Sequence, residues 1–403
     1  MQNGRNDFIE QKSMLIEVIT PICMGNNNAL SYLDYLYDRD RKKVYMLNQH
    51  EWFNYLSRHS VLPRYITNLE KNSPKAPYQW LTTKSGLGAN AITLEKLGKA
   101  VKTEIEVFKN LQLDNSGAKI QPTVRLVAGN IYIPGSAIKG MLRTAILFHL
   151  IRQKNNEKLR KEYWNKVVKE IHSIENKKID EIKAKLEELD NELENYLLKI
   201  KTEKDFTDDT CSNDCLRGVR CGDAMLVDGM PNGKRRNVPT AIVKKIDIKD
   251  KPYKPNEINV YFETIRPGTK FQFTLTLEKP LLANIGISSV DDLMKILEEY
   301  YQSLNKVLME GFPNRHDLFT KMRKGNAYLG RNTGFLHKSL LWALADTPKD
   351  AVPVIRTILH NEFEDHKHNM DKQISPHMLK CVEFGKELQL MGGSEDLPCL
   401  ANP

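Results

Sequence analysis

The sequence lacks any hydrophobic run that could cross a bilayer, since no apolar stretch approaches the roughly 18 to 20 residues that a membrane-spanning helix needs. It also lacks the charged start and following apolar run of a secretory signal. Cysteine is scarce, with 6 scattered among 403 residues, which is not the pattern of a secreted disulfide scaffold. We therefore expect a globular, cytoplasmic protein without a membrane partner.

The sequence also lacks cysteine and histidine residues at the spacing of a metal-binding site. The cysteines and histidines that come closest to a cluster contain neither a C-x-x-C pair nor the tight paired spacing of a structural zinc site. They are Cys211, Cys215 and Cys221 in "CSNDCLRGVRC", and His366, His368, His377 and Cys381 near the carboxyl end. We interpret the first group as free thiols and the second as packed or solvated side chains, and we predict no metal and no cofactor.

Positive charge is in excess, with 60 Lys and Arg against 51 Asp and Glu and a formal net charge of +9. Such a balance favours an anionic partner such as nucleic acid, although a lysine-rich solvated surface is the simpler explanation. A chain of this length can form two domains or a single large domain with additional elements.

Strand and helix patterns alternate along the chain and predict an α+β fold. Apolar and β-branched residues indicate a first strand at 14–25, a hairpin arm at 34–47 and two strands at 258–278 around Pro267 and Gly268. An amphipathic helix follows, with Ser289 or Asp291 as its expected cap. Strand, helix, strands, helix is the order of a ferredoxin-like (RRM-type) unit. We place this domain at 1–310, and 311–403 as a mainly helical region or a degenerate second RRM-like unit.

A segment rich in Lys, Glu, Ile and Leu interrupts the first domain at about 160–201. Its apolar residues recur at steps of three and four, which predicts a coiled-coil seam. The interruption at 174–178 leaves open a single rod or a helical hairpin. The segment either docks another protein or packs locally, and we favour local packing because most amphipathic helices do so.

The stretch "YIPGSAIKGMLR" sets two glycines at the mouth of a predicted helix. Ser136 is positioned to cap a helix that starts near Ala137, and the first-turn amides with Lys139 and Arg143 would receive phosphate oxygens. Gly135 permits close approach of a backbone or nucleotide. A capped helix with two solvated cations is the alternative, and the order of a Walker loop is absent.

A second stretch, "YLGRNTGFLHKSLLWALA", repeats this design. Gly330 and Gly334 flank Arg331, Asn332 and Thr333, and a helix carrying Lys338 is expected next. The spacing again fails the nucleotide-loop rule, so the stretch predicts sugar-phosphate contact and not triphosphate binding.

Nuclease chemistry would need a positioned acid and base or paired carboxylates. Asp223 and Asp228 are five residues apart, so on an extended strand their side chains point to opposite faces. His149 and His337 each follow a basic opening and are the alternative candidates for general acid or base, although packing roles are more frequent for such residues.

Six patches occur in an order that resembles one known family: "ITPICMG", "YIPGSAIKGMLRTAI", "CGDAMLVDG", "YFETIRPGTKFQFTL", "YLGRNTGFLHKSLL" and "SPHMLK". They resemble the RAMP subunits of type III-A CRISPR effectors, the Csm complexes. The resemblance implies a ferredoxin-like, non-catalytic subunit that covers the 3′ region of the crRNA, next to an adjacent RAMP backbone subunit. It also implies a role in crRNA maturation and antiviral defence, with trimming nucleases as further partners.

At the positions that match the family's motifs, the resemblance implies contacts to the guide RNA by nine residues of this chain. They are Gly135, Ser136, Lys139, Arg143, Gly330, Arg331, Asn332, Thr333 and Lys338. The chain departs from many relatives after its first strand, where "GNNN" stands in place of G-x-G. Two rivals stay open, a metal-independent endoribonuclease that processes precursor RNA with His149 or His337, and a docking platform for other proteins built on the coiled-coil segment.

Overall fold

The computed structural model describes residues 8–25, 28–83, 86–87, 94–108, 111–114, 116–127, 129–173, 179–200, 213–227, 239–250, 256–362, 378–384 and 387–398. Its strands are β1 (Ile9–Val18), β2 (Leu30–Ser31), β3 (Tyr35–Asp38), β4 (Lys43–Leu47), β5 (Val101–Val107), β6 (Lys119–Gln121), β7 (Tyr132–Ile133), β8 (Val219–Cys221), β9 (Ala224–Leu226), β10 (Thr240–Ile248), β11 (Asn256–Ile265), β12 (Lys270–Glu278), β13 (Ala327–Tyr328), β14 (Leu379–Phe384), β15 (Glu387–Leu390) and β16 (Gly393–Pro398).

The α-helices are α1 (Gln49–Arg58), α2 (Leu62–Leu69), α3 (Pro77–Leu81), α4 (Leu94–Leu97), α5 (Gly135–Arg152), α6 (Glu157–His172), α7 (Ile179–Leu198), α8 (Lys279–Leu282), α9 (Val290–Gly311), α10 (His316–Phe319), α11 (Leu341–Leu344) and α12 (Pro348–Glu362). Among these described helices, none is both long enough and apolar enough to span a membrane.

The first sheet has the order β13-β16-β1-β12-β9-β7, with β8 also paired to β12. Helices α5 and α9 come between strands of this sheet in the chain, so helices and strands are mixed along one unit. Strand β1 lies between β12 and β16 and is antiparallel to both. The predicted α+β class is therefore confirmed.

One face of this sheet carries the main core. Alternate residues of β1 and β12 are buried, as the two-residue period of a strand requires. Helices α5 and α9 pack together over that face, and their apolar residues join the same hydrophobic cluster. The amino-terminal cap of α9 is as predicted, because the Ser289 hydroxyl accepts a hydrogen bond from the Asp292 amide at 3.1 Å.

A second sheet has the order β2-β6-β11-β10-β5-β4-β3, with β14 paired to β10 and β15. The predicted hairpin arm at 34–47 is confirmed as β3 and β4. Helices α1 to α3 lie over this part of the chain, and their aromatic residues form a separate cluster around Trp52, Tyr65 and Trp80.

The strands predicted at 258–278 exist, but they belong to different sheets. Strand β11 pairs with β10 in the second sheet, and β12 pairs with β1 in the first. Gly268, with φ of 81°, makes the turn between them, and its amide donates to the carbonyl of Val18 at 2.7 Å. The turn therefore carries the chain from one sheet to the other instead of closing a hairpin.

The region after residue 311 is not separate from the preceding fold. Besides α10 to α12 it supplies β13 and β16 to the first sheet, and β14 and β15 to the second. The short strands escaped the sequence analysis because a few residues of alternating pattern carry little signal on their own.

The interrupting segment forms two helices, α6 and α7, which pack against each other and against α5. Residues 174–178 between them lie outside the described part. Their apolar seam, including Val167, Ile171 and Leu193, belongs to the main core. Local packing is thus the observed arrangement for most of the seam, although Tyr196 is 59% exposed.

Candidate nucleic-acid interface

Helix α5 begins at Gly135, two residues earlier than predicted. The Gly135 amide donates to Oδ1 of Asp223 at 2.7 Å, and no side chain of the helix's own entry segment caps it. The prediction that Ser136 caps the helix is therefore wrong. A carboxylate from the link between β8 and β9 occupies this end because it matches the positive end of the helix dipole.

Gly135 has a packing role. A Cβ at this position would lie 2.2 Å from the carbonyl oxygen of Cys221, so any side chain would force α5 away from β8. Gly140 differs, since a Cβ there would meet nothing within 4 Å. Glycine costs about 1 kcal/mol relative to alanine inside a helix, and packing does not require it at Gly140.

The second glycine-rich stretch is a loop held against the segment that follows β1. The Arg331 amide donates to the carbonyl of Cys23 at 2.8 Å, and the two residues form an isolated antiparallel bridge. Gly330, Asn332 and Gly334 have φ of 89°, 63° and 112°, in the left-handed region that glycine and asparagine tolerate. A Cβ on Gly330 would also lie 2.6 Å from the Cys23 oxygen.

The predicted helix does not follow this loop at once. Lys338 lies in a turn, where its amide donates to the carbonyl of Phe335 at 3.1 Å, and α11 begins only at Leu341. Lys338 is therefore presented by a loop, and the loop offers backbone groups without a helix dipole behind them.

The two glycine-rich stretches face each other across one cleft of about 450 Å³, which we name the basic cleft. It is lined by Cys23, Met24, Gly25, Val124, Pro134, Ser136, Ala137, Gly140, Met141, Thr144, Tyr328, Leu329, Gly330, Arg331, Thr333, His337 and Lys338. Within the described residues the lining contains two cations, Arg331 and Lys338, and no carboxylate.

Five of the nine predicted contact residues line the basic cleft: Ser136, Gly330, Arg331, Thr333 and Lys338. The other four do not. Gly135 packs beneath the helix start, the Asn332 amide points to the sulfur of Met391 at 3.0 Å, and Lys139 and Arg143 are half-buried on α5 outside the lining.

Arg143 is held by carboxylates. Its guanidinium pairs with Glu194 of α7 and with Asp214, the latter at 3.2 Å from Nη1 to Oδ2. These partners come from a sequence region about 50 to 70 residues away, so the sequence could not reveal them. Because its charge is engaged by these carboxylates, we do not expect Arg143 to contact a phosphate.

The cations of the basic cleft influence each other. Desolvation at the cleft wall, together with the positive charge of Arg331, lowers the pKa of Lys338. A phosphate would relieve the repulsion between these two side chains, so the pair is suited to an anionic ligand.

Neither candidate histidine combines a position in the lining of the basic cleft with an orienting hydrogen-bond partner among the described residues. His149 lies about 20 Å along α5 from Ser136, and its Nδ1 is 2.7 Å from Oε2 of Glu299. His337 lines the basic cleft, but both ring nitrogens are buried without a hydrogen-bond partner among the described residues. Burial lowers the pKa of His337 to about 3, which keeps the ring neutral at physiological pH.

Among the described residues, no three potential metal ligands approach one another. Cys215 is buried, and desolvation raises the pKa of its thiol to about 12. Cys211, Asp228, His366, His368 and His377 lie outside the described residues.

Two further contributors to the basic cleft carry little signal in the sequence. The segment from Cys23 to Gly25 forms its floor, where a Cβ on Gly25 would lie 2.9 Å from Cδ of Arg331. Thr144 extends the wall along α5. The glycine at the end of the first strand was the only local signal for the floor.

Comparison with known proteins agrees with these features. The sequence profile of the RAMP superfamily matches residues 15–312. The chain is 23% identical over 338 residues to the CRISPR system protein Csm5 of Streptococcus thermophilus, which covers 83% of this chain and 81% of the relative.

Two solved structures share the fold. One chain of the cryo-EM structure of a Csm-crRNA-target RNA ternary complex of a type III-A CRISPR-Cas system superposes with a TM-score of 0.59 at 15% identity, over 96% of this chain and 100% of that one. The crystal structure of T. onnurineus Csm5 gives a TM-score of 0.56 at 16% identity, over 94% and 99% of the two chains.

Proposed function

This chain belongs to the RAMP superfamily, and we propose that it is the crRNA-binding Csm5-type subunit of a type III-A CRISPR ribonucleoprotein. The observation that carries the proposal is the basic cleft, in which two glycine-rich stretches far apart in sequence converge on Arg331 and Lys338. The similarity to Csm5 of S. thermophilus supports the same assignment.

The chemistry of the basic cleft suits a sugar-phosphate chain of any sequence. Contacts to phosphate and ribose by cations, hydroxyls and backbone groups position a nucleic acid without reading its bases. A subunit that accepts every spacer needs this property. At Gly140 a Cβ would meet nothing within 4 Å, so the absent side chain leaves room for a ribose chain beside the backbone of α5.

At a finer level, the proposed position is the 3′ region of the guide, next to an adjacent RAMP backbone subunit. There the protein caps the crRNA and is needed for its maturation, with trimming nucleases acting on the part of the RNA that it leaves uncovered. The motif resemblance supports this position, and the cations of the cleft, whose described lining contains no carboxylate, support the RNA contact.

Sequencing the RNA of purified complexes tests the proposal. Complexes without this chain should contain guides with longer or ragged 3′ ends, and complexes that carry it should contain guides with defined ends. Identical 3′ ends in both preparations would contradict the capping role, while absence of guide RNA contacts to this chain would contradict the function as a whole.

Incubating the pure protein with labelled repeat RNA tests the endoribonuclease alternative. We expect no multiple-turnover cleavage, because His149 is paired with Glu299 and does not line the cleft, and His337 is neutral and buried. Cleavage that disappears in His149→Ala or His337→Phe would establish the enzyme instead.

A further inference from the structure

The basic cleft continues along α5 into a second cavity of about 320 Å³, which we name the terminal cavity. Thr144 and Lys338 line both spaces, so the two meet at these residues. The terminal cavity lies between α5, the α6–α7 hairpin and the loop before α11. Its lining is Arg143, Thr144, Leu147, Ile151, Val167, Leu186, Asp190, Leu193, Glu194, Phe335, Lys338, Ser339, Leu340, Leu341, Leu344 and Ile358.

The chemistry of the wall changes where the two spaces meet. The basic cleft has cations and no carboxylate in its described lining. The terminal cavity has an apolar floor and two carboxylates on α7, Asp190 and Glu194, besides Lys338 at its entrance and Arg143, whose charge is engaged by Glu194 and Asp214. A phosphate chain that follows Arg331 and Lys338 therefore meets negative charge beyond Lys338. The wall disfavours further phosphates, while its apolar surface suits an uncharged base.

Among the described residues, only some of the charges around this space are paired. Glu194 pairs with Arg143, which also reaches Asp214, while Lys338 stands at the entrance. Asp190 has no ion pair there. Asp190 is solvent-exposed at the edge of the cavity, so its desolvation is partial. This partial desolvation and the negative charges of Glu194 and Glu187 raise its pKa, and its carboxylate is ionised at pH 7.5.

We propose that the terminal cavity receives the 3′-terminal nucleoside of the bound RNA and selects a free 2′,3′-diol over a 3′-phosphate. Only the 3′ end of an RNA carries two neighbouring hydroxyls, and an ionised carboxylate accepts hydrogen bonds from both. A 3′-phosphate would instead bring negative charge to Asp190 and Glu194. The proposal rests on the RNA-binding function proposed above, and it specifies the chemical form of the RNA 3′ end that the protein binds.

Equilibrium binding of two RNAs tests the proposal. They share one sequence and a 5′ fluorophore and end in a 3′-hydroxyl or a 3′-phosphate, and both are titrated with the full-length protein at pH 7.5. The wild type should bind the hydroxyl end roughly tenfold more tightly, the size of effect that a hydrogen bond to a charged group commonly gives. An RNA with a 3′-terminal 2′,3′-dideoxynucleotide should lose most of this advantage.

The variant Asp190→Asn should bring the hydroxyl-to-phosphate affinity ratio close to one. Asp180→Asn is the matched control, because it makes the same charge change on α7 about 15 Å away, at a side chain that is 88% exposed, and should keep the wild-type ratio. Thermal melting of both variants verifies that they fold.

The outcomes separate the two claims. Failure of the wild type to bind any of these RNAs would overturn the proposed function and the terminal site with it. Binding that is intact but equal for hydroxyl and phosphate ends, or a ratio that Asp190→Asn leaves unchanged, would overturn only the terminal site.

Discussion

Asp223 accepts a hydrogen bond from the Gly135 amide at 2.7 Å, so the start of α5 holds a carboxylate of the same chain. This relationship changes the expected binding mode. The helix amino terminus, which is the strongest anion-binding feature predicted from the sequence, is already engaged at its first amide. We therefore assign the proposed phosphate contacts to the cations and the second glycine-rich loop across the cleft.

Replacing the capping carboxylate tests this arrangement. Asp223→Ala should lower the free energy of unfolding by about 1 kcal/mol, because the amide loses its partner and the helix dipole loses a favourable charge. RNA affinity should not fall. Urea unfolding and RNA titration measure the two quantities, and a loss of affinity in the folded variant would show that Asp223 serves the RNA site.

Two substitutions at Gly140 test stability and RNA binding separately. Gly140→Ala should raise the free energy of unfolding by about 0.5 to 1 kcal/mol, since a Cβ there meets only open space and alanine favours the helix. Gly140→Leu should weaken RNA binding several-fold by filling the basic cleft. Unchanged RNA affinity in the leucine variant would place the RNA elsewhere.

The cations of the cleft should contribute affinity without sequence preference. In Arg331→Ala with Lys338→Ala, the slope of log affinity against log salt should fall in magnitude by about 1.4, or 0.7 for each single-strand phosphate contact, equally for unrelated spacer sequences. Lys295→Ala is the matched control, as this lysine is 79% exposed on α9, outside the cleft lining. A sequence-dependent loss would indicate base reading instead.

The burial of His337 predicts a pH dependence of stability. Its pKa is about 3 in the folded chain and near 6.5 when unfolded, so below pH 6.5 the unfolded state binds one more proton. The free energy of unfolding should therefore fall as the pH drops below 6.5. Protonation of His337 in the unfolded state should account for a decrease of about 2 kcal/mol between pH 7 and pH 5. Unfolding curves of His337→Phe should lack this component, and an unchanged pH dependence would contradict the assignment.

Local patterns were sufficient to predict the long elements. The amphipathic period marked α9 and its Ser289 cap, alternation marked β3 and β4, and the glycines marked both walls of the basic cleft. These features depend on residues within one or two turns of each other, which is the range over which sequence periodicity carries information.

The features that sequence analysis could not supply depend on partners distant in the chain. The Arg331–Cys23 bridge holds the second glycine-rich stretch against the segment after β1, and Arg143 pairs with Glu194 of the inserted helix α7 and with Asp214. The division of β11 and β12 between two sheets likewise follows from tertiary packing, because either strand alone would fit a hairpin.

Photochemical crosslinking of a guide RNA that carries 4-thiouridine near its 3′ end tests the central claim most directly. The account predicts crosslinked peptides from both walls of the basic cleft, one spanning Ser136 to Thr144 and the other Leu329 to Lys338. Crosslinks confined to other surfaces, with neither wall labelled in RNA-bound protein, would contradict it.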